Sequence, residues 1–121
     1  MDTLYYLQLK NINCFKLVRE YYKRELGINL PIYSEPNHDD NFCSVVHSII
    51  NNKKEMFIQL LTLEPHCIIT FYIVPKYTSH IGVVLPNLKQ FIHCLDKKGV
   101  MIDRISKWKN RVTGYYKWVQ N

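Results

Sequence analysis

The sequence is poor in glycine and has no long apolar run. Only four of its 121 residues are Gly and five are Pro, and no internal repeat or low-complexity segment is visible. No apolar stretch approaches the ~18 residues that cross a bilayer, so we expect no membrane span. The first residues also lack the basic and apolar segments of a signal peptide. We therefore expect a protein that is made in a cytoplasm and has no signal peptide.

Cysteine is scarce and scattered as well. The four cysteines, at positions 14, 43, 67 and 94, show neither Cys-x-x-Cys spacing nor the density of a disulfide scaffold. We expect them to be reduced thiols. Zinc ligands usually come in close pairs, but neighbours such as His66 and Cys67, or His93 and Cys94, point to opposite faces of a strand. The sequence therefore predicts no metal site.

Positive charge and aromatic side chains are what the chain has in excess. Hydrophobic residues make up 47% of the chain, which indicates one compact domain, residues 1–121. The formal net charge of +6 indicates attraction to polyanions. Nucleic acid, an anionic membrane and an acidic cell-wall polymer all fit that charge. The basic and aromatic residues 104–118 would suit stacking on nucleic acid, but no nucleic-acid-binding motif accompanies them. We expect no nucleic-acid partner.

The order of the elements predicts an α+β domain. Residues 1–12 read as a short approach segment, and a helix over residues 14–26 follows, with Asn13 as its N-cap and Gly27 at its end. Residues 42–52 have helical spacing. The rest predicts an antiparallel meander of strands, with the C-terminal tail as a last strand over the sheet edge. The predicted strands lie at 56–61, 67–74, 78–85, 90–94 and 100–103.

Cys14 stands at the first position of the predicted helix, a placement typical of a cysteine nucleophile. Unpaired N–H groups and the helix dipole at that end favour a thiolate, so we expect the pKa of Cys14 to lie below the ~8.5 of a free cysteine. Two histidines in strand-like runs, His80 and His93, are candidates for its base. One helical Cys followed far along the chain by His is the order of a papain-like cysteine peptidase.

Each of these residues also has a plainer interpretation. Taken alone, Cys14 is more often a small buried hydrophobe, and His80 and His93 are more often satisfied strand residues. The other histidines and cysteines do not lie in segments that resemble a nucleophile or a base position. We interpret His38, His47 and His66 as surface or capping residues, and Cys43, Cys67 and Cys94 as core residues.

Blocks along most of the chain resemble one family, in the correct order. Residues 14–31 begin with Cys-Phe-Lys-Leu-Val-Arg and end with Gly-Ile-Asn-Leu-Pro. They look like the nucleophile helix of the NlpC family of papain-like cell-wall peptidases, where Asp-Cys-x-Gly-Leu-Val-Arg leads to Gly-Ile-x-Leu-Pro. Residues 79–85, Ser-His-Ile-Gly-Val-Val-Leu, resemble the family's Ser-His-Val-Gly-Ile-Tyr-Leu, and residues 91–94 its Phe-Ile-His-Ala. Gly-Tyr-Tyr-Lys at 114–117 is similar to the ending of bacteriophage tail members.

The resemblance implies a fold and a catalytic triad. The fold would be papain-like, with an N-terminal nucleophile helix packed on an antiparallel sheet. Cys14 would be the nucleophile, His80 the general base and His93 the third residue, which orients His80. Tyr6, or Tyr5, would border the site. No metal or organic cofactor would be needed.

The resemblance also implies a substrate and a setting. The substrate would be a peptidoglycan stem peptide, whose amide bonds the enzyme would hydrolyse during cell-wall penetration. The protein would belong to the tail tip of a virion, assembled in the host cytoplasm with other tail-tip proteins.

Two positions near the nucleophile depart from the family pattern. Asn13 replaces an Asp, which keeps a helix cap but drops a charge. Lys16 replaces a Gly. Its charge would further favour the thiolate, and its side chain would also fill the groove where substrate or oxyanion binds. The glycine-rich segment before the family's cysteine is also missing. These departures keep a second function open: a catalytically inactive structural protein of the tail tip or tail assembly that retains the fold.

Overall fold

The computed structural model describes residues 1–30, 57–72, 78–95 and 98–119. Cys14, His80 and His93 lie inside these segments. The predicted helix at 42–52 lies outside the described residues, as do His38, His47 and Cys43.

The N-terminal segment forms a helix that the sequence pattern did not predict. Helix α1 (Thr3–Leu7) begins after Asp2, whose side chain accepts a hydrogen bond from the backbone N–H of Tyr5 at 3.1 Å. An aspartate cap satisfies one of the unpaired N–H groups of a first turn. The segment is therefore more than an approach to the next helix, since α1 carries Tyr6 into the core.

Helix α2 (Cys14–Tyr21) starts where the sequence predicts. Asn13 is extended, and its side chain accepts a hydrogen bond from the backbone N–H of Lys16 at 2.8 Å. The helix continues as a π-helical turn (Tyr22–Leu26) and ends at Gly27, whose φ is +67°. Glycine adopts this left-handed conformation at little cost. The predicted boundaries at residues 14 and 26 are therefore confirmed.

Six antiparallel strands form one sheet within the described residues, which confirms the predicted α+β class. A short helix, α3 (Ile105–Trp108), and a 3-10 turn (Lys109–Arg111) connect the last two strands. The strands are β1 (Phe57–Leu60), β2 (Ile68–Tyr72), β3 (Thr78–Val84), β4 (Gln90–Leu95), β5 (Gly99–Arg104) and β6 (Val112–Trp118).

The order of the strands corrects the predicted meander. Across the sheet the order is β1-β6-β2-β3-β4-β5, so the C-terminal strand lies between β1 and β2 and does not cover an edge. Both of its sides are paired, and Trp118 packs edge-on against Phe57 with ring centroids 5.2 Å apart. The prediction was wrong because consecutive strands are only more often, not always, neighbours in a sheet.

The two faces of the sheet carry separate clusters of buried side chains, because successive residues of a strand point to opposite faces. On the face that packs against α2, Leu17 belongs to the same cluster as Ile81 of β3. On the other face, Phe71 packs with Phe91 and Trp108. The helix therefore covers only one face, and the short helix α3 contributes to the other.

His66 differs from its prediction as a surface or capping residue. It is partly buried, its Nδ1 lies 2.8 Å from the hydroxyl of Tyr21, and its carbonyl oxygen accepts a hydrogen bond from the hydroxyl of Tyr22 at 2.6 Å. These contacts join the end of α2 to the residues before β2. Cys67 and Cys94 are buried free thiols, as predicted.

Candidate active site

Cys14 is buried at the start of α2, with 3% of its surface exposed. Burial raises the pKa of the Cys14 thiol to about 12, although hydrogen bonds from the backbone N–H groups of Ile81, Cys14 itself and Phe15 oppose the rise. The expectation of a lowered pKa is therefore wrong. Removing a thiolate from water costs more here than the helix end and the N–H groups supply. At neutral pH Cys14 is a thiol.

His80 and His93 form a direct hydrogen bond between neighbouring strands. Strands β3 and β4 pair at Gly82 and His93, Val83 and Ile92, and Val84 and Phe91. His80 lies two residues before Gly82, so its ring reaches diagonally to His93, and the distance from His80 Nε2 to His93 Nδ1 is 2.8 Å. Both imidazoles are buried. The pairing of β3 with β4 thus brings together two histidines that are thirteen residues apart in the sequence.

Asp103 extends this pair and was not a predicted site residue. The Nε2 of His93 lies 2.7 Å from Oδ2 of Asp103, and the indole N–H of Trp108 donates to the same oxygen at 3.3 Å. The Nζ of Lys107 lies 3.6 Å from Oδ1. Strand pairing places Asp103 opposite Phe91, which is two residues from His93. The only signal in the sequence is an acidic residue at the end of an apolar strand.

The charges of this series follow from burial and hydrogen bonding. Burial, and then the neighbouring His93, lower the pKa of His80 to about 3. Burial also lowers the pKa of His93, against the opposing effect of Asp103. Partial burial works to raise the pKa of Asp103, but hydrogen bonds from His93 and Trp108 and the charge of Lys107 lower it below its ordinary value. At neutral pH an ionised carboxylate therefore faces two neutral imidazoles.

Backbone contacts connect Cys14 to the two histidines. Its thiol meets the backbone N–H of Ile81, the residue after His80. The thiol of Cys94, the residue after His93, donates to the carbonyl oxygen of Ile12 at 3.0 Å. In the described segments no hydrogen bond joins Cys14 directly to His80. Because successive residues of a strand point to opposite faces, Ile81 and Cys94 face α2, whereas the rings of His80 and His93 lie on the other face, against Phe71, Phe91 and Trp108.

Tyr6 and Tyr5 hold helix α1 against α2. Tyr6 is fully buried, and its hydroxyl donates to Glu25 at 2.6 Å. The hydroxyl of Tyr5 donates to Glu20 at 2.6 Å, and the guanidinium of Arg24 lies 3.6 Å from the centre of its ring. Both hydroxyls are therefore engaged by helix residues, and these contacts do not involve Cys14.

The exposed side of α2 forms a groove next to the nucleophile position. Ile12, Lys16 and Leu30 are among its lining residues, and its volume is about 360 Å³. Arg19, Glu20 and Lys23 line the same groove, so its basic residues outnumber its acidic one. Lys16 is exposed here, whereas Asn13 is used as the cap of the helix.

Over residues 1–30, 57–72, 78–95 and 98–119, no three His, Cys, Asp or Glu side chains are grouped to hold a metal ion. No helix of those segments is both long and apolar enough to cross a bilayer. No known family model matches the chain, and no curated protein matches it either.

Proposed function

We propose that this protein is a cysteine endopeptidase that hydrolyses amide bonds in peptidoglycan stem peptides. One observation carries the proposal: Cys14, at the start of α2, lies against the backbone N–H of Ile81, the residue that follows His80 of the hydrogen-bonded series His80, His93 and Asp103. The resemblance of the sequence blocks to the NlpC family supports the same roles and a papain-like fold.

The reaction begins when His80 accepts the thiol proton of Cys14. The acceptor is Nδ1 of His80, because Nε2 already contacts His93. The sulfur then forms a bond to the carbonyl carbon of the amide, and the negative charge moves to the carbonyl oxygen. Backbone N–H groups at the start of α2 are suited to stabilise that oxyanion. His80 returns the proton to the leaving nitrogen as the C–N bond breaks.

Water completes the reaction by hydrolysing the acyl-enzyme. His80 takes a proton from the water as its oxygen attacks the thioester carbon. The C–S bond then breaks, the carboxylic acid product leaves, and Cys14 regains its proton. Cys14 is 3% exposed, and the ring of His80 lies on the other face of the sheet, against Phe71. Turnover therefore requires a rearrangement of β3 and the start of α2 that admits the amide and brings the sulfur to Nδ1.

Charge and sequence pattern support the substrate and setting. The net charge of +6 favours approach to an anionic cell wall, and the groove on the exposed side of α2 adds positive charge through Lys16, Arg19 and Lys23. Stem peptides carry free carboxylates that such a groove would attract. The Gly-Tyr-Tyr-Lys ending supports a position at the tail tip of a virion, with other tail-tip proteins as partners.

Digestion of purified peptidoglycan, followed by mass spectrometry of the released muropeptides, tests the proposal. We expect shortened stem peptides from the wild-type protein and none from Cys14→Ala. Cys67→Ala is the matched control, because Cys67 is also a buried free thiol but lies in the cluster on the other face of the sheet. Products from Cys14→Ala, or none from the folded wild type, would overturn the proposal.

A second candidate is a structural protein of the tail tip that keeps the fold without turnover. The burial of Cys14 and its protonated state favour it, because a nucleophile needs both access and a thiolate. A folded wild-type protein that releases no muropeptide, alone or with its tail-tip partners, would favour this function.

A further inference from the structure

Asp103 makes more polar contacts than a surface carboxylate on an edge strand requires. Its Oδ2 accepts two hydrogen bonds, from His93 at 2.7 Å and from Trp108 at 3.3 Å. Oδ1 lies 3.6 Å from the Lys107 ammonium. Each of these groups is a donor, which fits an ionised carboxylate that accepts at both oxygens.

An ionised Asp103 fixes the position of the proton on His93. A carboxylate only accepts hydrogen bonds, so the Nε2 of His93 must carry a hydrogen. A neutral imidazole has only one N–H. The Nδ1 of His93 is therefore a lone-pair acceptor.

The hydrogen-bond donors and acceptors also fix the position of the proton on His80. Since His93 Nδ1 is an acceptor, the atom 2.8 Å away, Nε2 of His80, must donate. Neutral His80 then has no hydrogen on Nδ1. This is the nitrogen that the proposed reaction uses as its base, and the tautomer with a hydrogen on Nδ1 would block it.

We propose that Asp103 is a positioning residue, which acts through His93 to place the proton of His80 on Nε2 and to leave Nδ1 ready to accept a proton from Cys14. The part that concerns Cys14 rests on the proposed peptidase function. The tautomers of the two histidines do not, since they follow from the hydrogen bonds alone.

Nitrogen-15 NMR of the histidine rings in the folded wild-type protein near pH 7 tests the proposal. Signals are assigned with His80→Gln and His93→Gln. We expect both His80 and His93 to carry their hydrogen on Nε2. A hydrogen on Nδ1 of either ring would overturn the proposal, and this result needs no variant of Asp103 to fold.

Substitution of Asp103 gives the second measurement. In Asp103→Asn the side-chain amide can donate to His93, so we expect a population of the His93 tautomer that carries its hydrogen on Nδ1. Asp103→Glu should restore the wild-type tautomer. Lys107→Ala is the control, because it removes the other partner of the carboxylate and leaves the hydrogen bond to His93. Unchanged tautomers in folded Asp103→Asn would overturn the proposal.

Kinetics on peptidoglycan separates the two proposals. If the peptidase function holds, Asp103→Asn should lower kcat by roughly 10²- to 10⁴-fold with little change in KM, and Asp103→Glu should recover part of it. If both histidines have the expected tautomers but the wild-type protein releases no muropeptide, the peptidase function is overturned and the positioning role is supported. If Asp103→Asn hydrolyses peptidoglycan at the wild-type rate, the positioning role is overturned.

Discussion

The Sγ of Cys94 lies 3.0 Å from the carbonyl oxygen of Ile12, so strand β4 is tied to the residues that lead into helix α2. Cys94 directly follows His93, and Ile12 comes two residues before Cys14. This contact therefore helps to set the distance between the proposed nucleophile and the histidine pair, and it helps to keep Cys14 buried.

Loss of this contact should expose Cys14. We expect Cys94→Ala to speed alkylation of Cys14 in the folded protein about fivefold, since a lost hydrogen bond of about 1 kcal/mol raises the open population by that factor. Peptide-resolved mass spectrometry after timed labelling measures the rate. Cys67→Ala, the control in the other cluster, should leave the rate unchanged. Equal rates in wild type and Cys94→Ala would show that the contact does not govern access.

The pH dependence of the same labelling reports the ionisation of Cys14. Because burial raises its pKa to about 12, the thiolate fraction in the folded state should grow about tenfold per pH unit from pH 6 to pH 9. The unfolded chain in denaturant should instead level off around pH 8.5 to 9. A labelling rate that is already constant below pH 6 would mean that the thiolate is preformed, against the structure.

Acid should destabilise the fold through His80. Its pKa is about 3 in the folded state and about 6.5 in the unfolded chain. Between these values only the unfolded state binds the proton, so the free energy of unfolding falls as pH falls below about 6.5, by about 2 kcal/mol between pH 7 and pH 5.

Urea unfolding at the two pH values measures this loss. His80→Gln keeps an amide that can donate to His93 but has no proton to bind, so we expect its loss on acidification to be smaller by about 2 kcal/mol. If wild type and His80→Gln lose the same stability, His80 is not buried in its neutral form.

Gly82 is required by the close approach of β3 and β4. A Cβ at this position would lie 2.7 Å from the carbonyl oxygen of Ile92 and 3.1 Å from the Cβ of His93. We expect Gly82→Ala to lower the free energy of unfolding by about 2 to 3 kcal/mol and to displace His93. Gly114→Ala is a milder control, because the three atoms nearest to its Cβ would all belong to the side chain of Tyr116. Equal losses of unfolding free energy for Gly82→Ala and Gly114→Ala, measured by urea unfolding, would contradict this prediction.

The buried hydroxyl of Tyr6 stabilises the fold, and substitution by Phe tests this role. Tyr6→Phe removes the buried hydroxyl that donates to Glu25 at 2.6 Å, and we expect a loss of about 2 kcal/mol, the range for a hydrogen bond to a charged group. Tyr5→Phe removes a similar bond to Glu20 from a more exposed ring and should cost much less. Thermal unfolding of both variants measures the two losses of stability. A larger loss for Tyr5→Phe than for Tyr6→Phe would contradict the prediction.

The local elements could be read directly from the sequence. The Asn13 cap, the glycine at the end of the helix and the alternating apolar runs all act on their own neighbours in the chain, so the start of α2 and the strand positions followed from short-range rules. The pairing of His80 with His93 was also within reach, because the predicted strands at 78–85 and 90–94 that carry them are separated by only four residues.

Long-range packing decided the rest. The place of β6 between β1 and β2 depends on contacts across the sheet, and the pKa of Cys14 depends on how deeply the core covers it. Asp103 could not be identified in advance, because its partner His93 is ten residues away and only the register of β4 and β5 brings the two together. The sequence by itself determined where helix α2 and the strands lie and where the reactive side chains stand along them. Only the tertiary structure decided which of these side chains meet and how they ionise, because both depend on neighbours distant in the chain and on the water that packing removes.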